Sequence, residues 1–232
     1  MADAALIRVR AGRVAILVLG SAQRDLWTDS TLPVRVRSSG GGAVLSGPWL
    51  LRAAVVLPRS HPLAQHGPAA AARWCGDIHR RWLHAQGIGD AALYSGPAID
   101  HWACFAGRVA GEIVVGDRKM VGIAQAWRGQ TILLSAGTLI APAPWSLLCD
   151  SLGRPPDAAA ALAALTINAQ DYLRRPVDAR AWADDLLGLL RLAVAQGEAP
   201  LGLRAHAMQP DSPLPAAASR LAPGHGIARS TD

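Results

Sequence analysis

Through residues 5–58 apolar side chains recur at strand spacing, and from Pro142 onward they recur at helical spacing. ALIRVR (5–10) and RVAILVLG (13–20) flank an Ala-Gly pair and are predicted to form a hairpin. VRVR (34–37) alternates, SSGGGAV interrupts it, and LLRAAVVLP (50–58) resumes as a strand. One helix is inserted, from Pro68 to about Gln86, with Gly87 as its stop and Trp74, Ile78 and Trp82 as its apolar stripe. EIVV (112–115), a Gly116-Asp117 turn and RKMVGIAQAW (118–127) predict a second hairpin, followed by a strand in TILLSAGTLIA (131–141). Helices then follow at WSLLCDSL (145–152), from a capping Asp157 to Leu173, and from a capping Asp178 to Gln196. Strands with one inserted helix and a helical second part define an α/β chain of the α+β type, a mixed sheet backed by helices on one side. Residues 1–205 read as a single domain, and the Pro-, Ala- and Ser-rich residues 206–232 as a flexible tail.

With 232 residues the chain is long enough to bury a substantial core. A net charge of +6 favours an acidic partner. No basic run and no interleaving of basic with aromatic residues occurs, so no nucleic-acid partner is expected. Cys75, Cys104 and Cys149 are widely spaced without a C-x-x-C, which predicts neither a disulfide framework nor a metal site. Arg8, Arg10 and Arg13 interrupt any signal-like apolar stretch, and no segment reaches the ~20 apolar residues that cross a bilayer. The expectation is a cytoplasmic protein with no membrane partner.

Two segments carry candidate chemistry. In RSSGGGAV (37–44) three consecutive glycines allow positive φ and bring backbone N–H groups close to a ligand. Ser39 adds a hydroxyl and Arg37 a two-pronged anion donor. The spacing fits neither G-x-G-x-x-G nor G-x-x-x-x-G-K-[ST], and a tight connection is the plainer reading. The second segment is GDRKMVGIAQ (116–125), where Lys119 is the single lysine among 23 Lys and Arg residues. Simple alternation places Lys119 on one face with Val121, Ile123 and Gln125, and Gly122 and Ala124 on the other. A strand-end lysine leaning into water is the ordinary alternative. A chain that uses arginine everywhere else nonetheless keeps one ammonium here, a compact charge able to follow an oxygen as it turns negative.

RSSGGGAV, GDRKMVGIAQ and SAGTLI (135–140), in that order, together with YLRRPVD (172–178), resemble the lipoate–protein ligase and octanoyltransferase family, from about Val14 to Val194. The family's motifs read R-R-x-S-G-G-G-A-V and G-x-K-x-x-G-x-A. This chain departs from the family's usual pattern at Val36, Ser46, Ala136 and Gly111-Glu112, and a catalytic domain without a separate accessory domain is the expectation. The resemblance implies the biotin/lipoate protein ligase-like catalytic domain, in which a mixed sheet is flanked by helices. It also implies transfer of a lipoyl or octanoyl group to a lysine of an acidic lipoyl-carrier domain. By the same resemblance Lys119 holds the acyl carbonyl. Arg37, Ser39, Gly40, Gly41, Gly42, Ala43, Gly122, Ala124, Gly137 and Thr138 surround the acyl group or phosphate.

Cys104, in ACF before EIVV, is similar to the nucleophile of one octanoyltransferase branch, with the plain alternative of a buried inert thiol. A nearby ammonium would favour its thiolate. Cys75 and Cys149 read as core, and His101 as a candidate base for Cys104. Three functions are therefore expected in descending order. The first is cysteine-dependent octanoyl transfer from acyl carrier protein, without a cofactor. The second is ATP- and Mg-dependent ligation of lipoate or octanoate. The third is a non-catalytic member that binds an acylated carrier or a nucleotide.

Overall fold

The computed structural model describes residues 5–26 and 32–197. The predicted tail at 206–232 lies outside them. In chain order the strands and helices are β1 (Leu6–Ala11), β2 (Ile16–Leu19), β3 (Val34–Val36), β4 (Val44–Ser46), β5 (Leu50–Pro58), α1 (Gly67–Ala85) and β6 (Ala91–Leu93). They continue with β7 (Ile113–Val115), β8 (Arg118–Arg128), β9 (Thr131–Leu139), α2 (Trp145–Asp150), α3 (Asp157–Leu165), α4 (Ala169–Leu173) and α5 (Ala179–Ala195). A six-stranded antiparallel sheet runs β1-β5-β9-β8-β7-β6, and a three-stranded sheet runs β3-β2-β4 with β2 and β3 parallel.

The large sheet divides two cores. On one face Leu51, Val55 and Leu57 of β5 pack with Trp74, Ile78 and Trp82 of α1 and Trp182 and Leu186 of α5. On the other face Leu50 and Leu139 meet Leu17 and Leu19 of β2, Phe105, and Trp145 and Leu148 of α2. This division is why the expected hairpin of residues 5–20 does not form. Ile7 and Val9 of β1 turn toward the first core beside β5, whereas Leu17 and Leu19 are sealed in the second. One segment cannot serve both cores, so β1 and β2 join different sheets. Helices consequently flank both faces rather than one.

The helix expected over 157–173 is broken. Thr166 is extended and pairs with Lys119, and the Ile167 N–H donates to the Lys119 carbonyl at 3.1 Å. The Asn168 side chain then caps α4 by accepting from Asp171 N at 3.0 Å. Asp157 lies in the first turn of α3 without a side-chain capping bond, whereas Asp178 caps α5 through Arg180 N and Ala181 N.

Candidate active site

The hairpin β7–β8 positions the lysine, and it is not regular. Ile113 pairs with Val121 but Val114 pairs with Lys119, so Met120 is an extra residue bulged out of the ladder. Met120 and Val121 are consecutive yet both buried in the first core. Alternation is shifted by one at that point, and Lys119 swings onto the face that carries Gly122 and Ala124. A Cβ added to Gly122 would stand 3.4 Å from Lys119 Cε and 3.6 Å from Cys104 Sγ. The expectation from simple alternation, which separated Lys119 from Gly122 and Ala124, is therefore reversed.

Lys119 is 1% exposed, so it does not lean into water. Its ammonium donates to the carbonyls of Cys104 (2.7 Å) and Gly107 (2.8 Å) and pairs with Glu112 Oε2 at 2.7 Å. Those three partners match its three N–H groups. Glu112 is buried too, accepting from Val109 N at 2.9 Å and Ile123 N at 3.0 Å. Sequence reading did not single it out as a partner for the lysine, although an acid within a run of small apolar residues is a usable signal. The ring of Phe105, the single phenylalanine, stands 5.7 Å from the ammonium.

The glycine loop is stitched to the segment holding Cys104. Ala43 N donates to Trp102 O at 2.7 Å, and Cys104 N donates to Ala43 O at 2.9 Å. Gly41 has φ of 90°, in the region that favours glycine. Gly42 packs so tightly that an added Cβ would lie 2.6 Å from backbone atoms of His101, Trp102 and Cys104. Arg37 folds over the loop, donating to Gly40 O and Gly42 O at 2.8 Å each and to Val18 O at 3.4 Å. Its donors brace the loop.

Two cavities meet here. The first, about 290 Å³, lies over the sheet and is lined by Val18, Val44, Leu50, Phe105, Gly122, Ala124 and Gly137, with Arg8, Arg10 and Arg52 also on its wall. The second, about 310 Å³, is lined by Gly40, Gly41, Gly42, His101, Arg108, Glu112 and Lys119. Arg37, Cys104, Ile123 and Ala124 line both. Three sequence-predicted residues stand apart from these linings. Ala43 is buried in the second core, and Ser39 is buried with its carbonyl accepting from Ser21 N at 3.0 Å. Thr138 points the opposite way from Gly137, its hydroxyl buried without a partner.

Cys104 sits where the cavities join. Burial pushes its thiol above the ordinary value; Lys119 and Arg37 pull it down, and Glu112 pushes it up. The ammonium alone would favour thiolate, but the carboxylate beside it and the loss of water prevail. His101 does not hold the thiol, because its Nδ1 accepts from Ala103 N at 3.0 Å. Cys149 lies in the second core. Cys75 lies in the first, where burial pushes its thiol up to about 12.

No family model matches the sequence, and no curated protein matches it. Solved structures do match. The chain resembles lipoate-protein ligase A bound with ATP at 18% identity and a TM-score of 0.60, over 83% of this chain and 74% of the other. The chain has the lipoate–protein ligase fold. A second similar structure is Ta0514 of T. acidophilum with bound lipoic acid, at 18% identity and a TM-score of 0.59, covering 83% of this chain and 73% of that one. A third is from a study of an archaeal bi-partite lipoate protein ligase and its E2 lipoyl domain from Thermoplasma acidophilum, at 19% identity and a TM-score of 0.50, covering 84% and 70%. Among the described residues no helix is long and apolar enough to cross a membrane.

Proposed function

We propose that the chain transfers an octanoyl or lipoyl group to a lysine of a lipoyl-carrier domain, with Cys104 as the acyl-carrying nucleophile. The observation that carries this reading is the placement of Cys104 Sγ, 3.6 Å from the Cβ position of Gly122, beside the buried Lys119 and at the mouth of an apolar cavity. An acyl carbonyl held there has a nucleophile, a positive charge and room for its chain. In the first step the Cys104 thiol gives up its proton as its sulfur forms a bond to the carbonyl carbon of an acyl carrier thioester, and the carrier sulfur leaves with a proton, as a thiol. In the second, the acceptor's lysine amine forms the amide bond as the bond from the acyl carbon to the Cys104 sulfur breaks, and the proton the amine loses returns to that sulfur. Lys119 can donate to the developing oxyanion when it exchanges one of its carbonyl acceptors for it. An acidic carrier suits the net charge of +6.

The second cavity favours a second reading. Its glycine backbone and Arg108 offer donors to phosphates, which fits ATP-dependent ligation, and the similar ligase A was solved with ATP. The fold's similarity to proteins solved with lipoic acid, and to one studied with its E2 lipoyl domain, supports the substrate and acceptor in either case.

Incubating the protein and a lipoyl-accepting domain with octanoyl carrier protein, or with lipoate and Mg·ATP, and weighing the acceptor separates the two. Transfer from the carrier thioester, lost in Cys104→Ser, is expected. Modification by Cys104→Ser with ATP present would replace this mechanism by ligation, and an acceptor unchanged under both conditions would overturn the acyl-transfer function.

A further inference from the structure

Two rows of residues run directly across four strands of the large sheet. Arg10 on β1 faces Arg52 on β5, Arg52 faces Gly137 on β9, and Gly137 faces Gly122 on β8. The neighbouring row is Arg8, Ala54, Ser135 and Ala124, and both rows line the first cavity. At the β8 end that cavity meets Cys104, next to Lys119. At the β1 end it meets three guanidinium groups.

Such a cluster is unfavourable by itself. Like charges directly opposite across strands repel, and Arg10 and Arg52 are such a pair. Among the described residues no carboxylate pairs with Arg8, Arg10 or Arg52. Arg52 Nε is closed off from solvent with no hydrogen-bond partner, which costs stability unless a ligand completes it. Burial, followed by the charges of Arg10 and Arg35, holds the Arg52 pKa below the ordinary guanidinium value.

From these placements we infer that the β1 end of the cavity is an anion site, and that the acyl group handled here carries a carboxylate at the end remote from the carbonyl it transfers. The inference rests on the acyl-transfer reading of the site, and puts an acyl group with an anionic far end in place of the octanoyl or lipoyl group named above. A guanidinium fork matches a carboxylate in shape as well as charge. Between the arginines and the lysine end the floor is of small residues, with Leu50 lying over Gly137 and the Ser135 hydroxyl donating to Ala124 O at 3.2 Å. Arg52 and Gly122 are two strand spacings apart, about 10 Å, which suits a chain of medium length. The polyphosphate of a nucleotide has the glycine-lined cavity, on the other side of Cys104, and does not need these arginines.

Calorimetric titration of the whole protein with octanoate, octanedioate and ATP tests this. Octanedioate is expected to bind at least about tenfold more tightly than octanoate, the scale of one charge-assisted pair. Arg52→Gln and, separately, the exposed Arg10→Gln should each cut that preference several-fold. Octanoate binding without any preference for octanedioate would sink the anion site and leave the acyl cavity standing. Failure of both acids to bind would sink both readings. Arginine variants that weaken ATP and leave the acid preference intact would assign these groups to the nucleotide and overturn the inference.

Discussion

Lys119 and Glu112 form a 2.7 Å ion pair with both side chains essentially closed to solvent, 1% and 3% exposed. A pair so placed holds each charge hostage to the other. Removing one partner leaves the other buried and uncompensated, at a cost of about 3–5 kcal/mol. Lys119→Met should therefore lower stability by about that amount in chemical denaturation, and adding Glu112→Gln should recover part of it. The rescue should not extend to acyl transfer, because the ammonium is still absent.

Lys119→Arg keeps the charge opposite Glu112 but should lose activity nearly as completely as Lys119→Ala, on the order of 10²–10³-fold. The three acceptors at 2.7–2.8 Å surround a point charge, and a planar guanidinium cannot address them together. Acyl transfer by the folded Arg variant at near-normal rate would show that the lysine only balances Glu112.

Alanine substitution should sort the three loop glycines. Gly40→Ala meets nothing within 4 Å, so its melting temperature should hold while ligand binding weakens. Gly41→Ala must take φ of 90° and bring its Cβ 3.1 Å from the Arg37 guanidinium, costing about 1–2 kcal/mol. Gly42→Ala strikes backbone at 2.6 Å and should be the most damaging, displacing the Cys104 segment. Equal losses at all three positions would contradict this order.

The glycine and lysine motifs were legible in the sequence because residue type alone announces them. The bulge was not. Alternation from Lys119 to Gln125 looks unbroken, and only the pairing with β7 shows that Met120 is surplus. The break at Thr166 was hidden similarly, since AALTINAQD has good helix formers on both sides and is interrupted by pairing with Lys119. Arg8 and Arg10 of ALIRVR counted in the sequence only as interruptions of an apolar stretch, because nothing local announces that β5 sets Arg52 opposite Arg10.

Alkylation kinetics should report on Cys104. Burial keeps the thiol protonated at neutral pH, so the rate with iodoacetamide should be low there and keep rising beyond the ordinary thiol range. Glu112→Gln removes a charge that pushes the pKa up and should accelerate the reaction; Lys119→Met should slow it. Cys104→Ser supplies the background from Cys75 and Cys149. Slowing in Glu112→Gln together with acceleration in Lys119→Met would show that these charges do not govern the thiol.

A pH effect on stability should arise far from the site. His79 is fully buried in the first core, and burial pushes its pKa down to about 4, against a counteracting bond from its ring Nδ1 to the Cys75 carbonyl at 2.7 Å. The unfolded chain, with an ordinary histidine near 6.5, binds the proton first. Stability should thus be full above about pH 6.5 and decline as pH falls toward 4, by about 3 kcal/mol in all. His79→Gln should flatten that part of the denaturation profile, whatever its effect at neutral pH; an unchanged slope would remove His79 as the cause.

The pairing of Ala43 with Ala103 has a consequence for the order in which this protein assembles. It joins two segments that are distant along the chain, Ala43 directly before β4 and Ala103 in the irregular stretch between β6 and β7. Local hairpins such as β8–β9 can form early, but this clasp must wait until the chain between its halves has been laid down, because closing so long a loop is entropically expensive before other contacts exist. The candidate site should then be the last region to acquire its shape and the first to lose it. Amide protons at Ala43 and Cys104 should exchange through openings smaller than global unfolding, and a bound acyl ligand should slow them more than it slows the strands beneath.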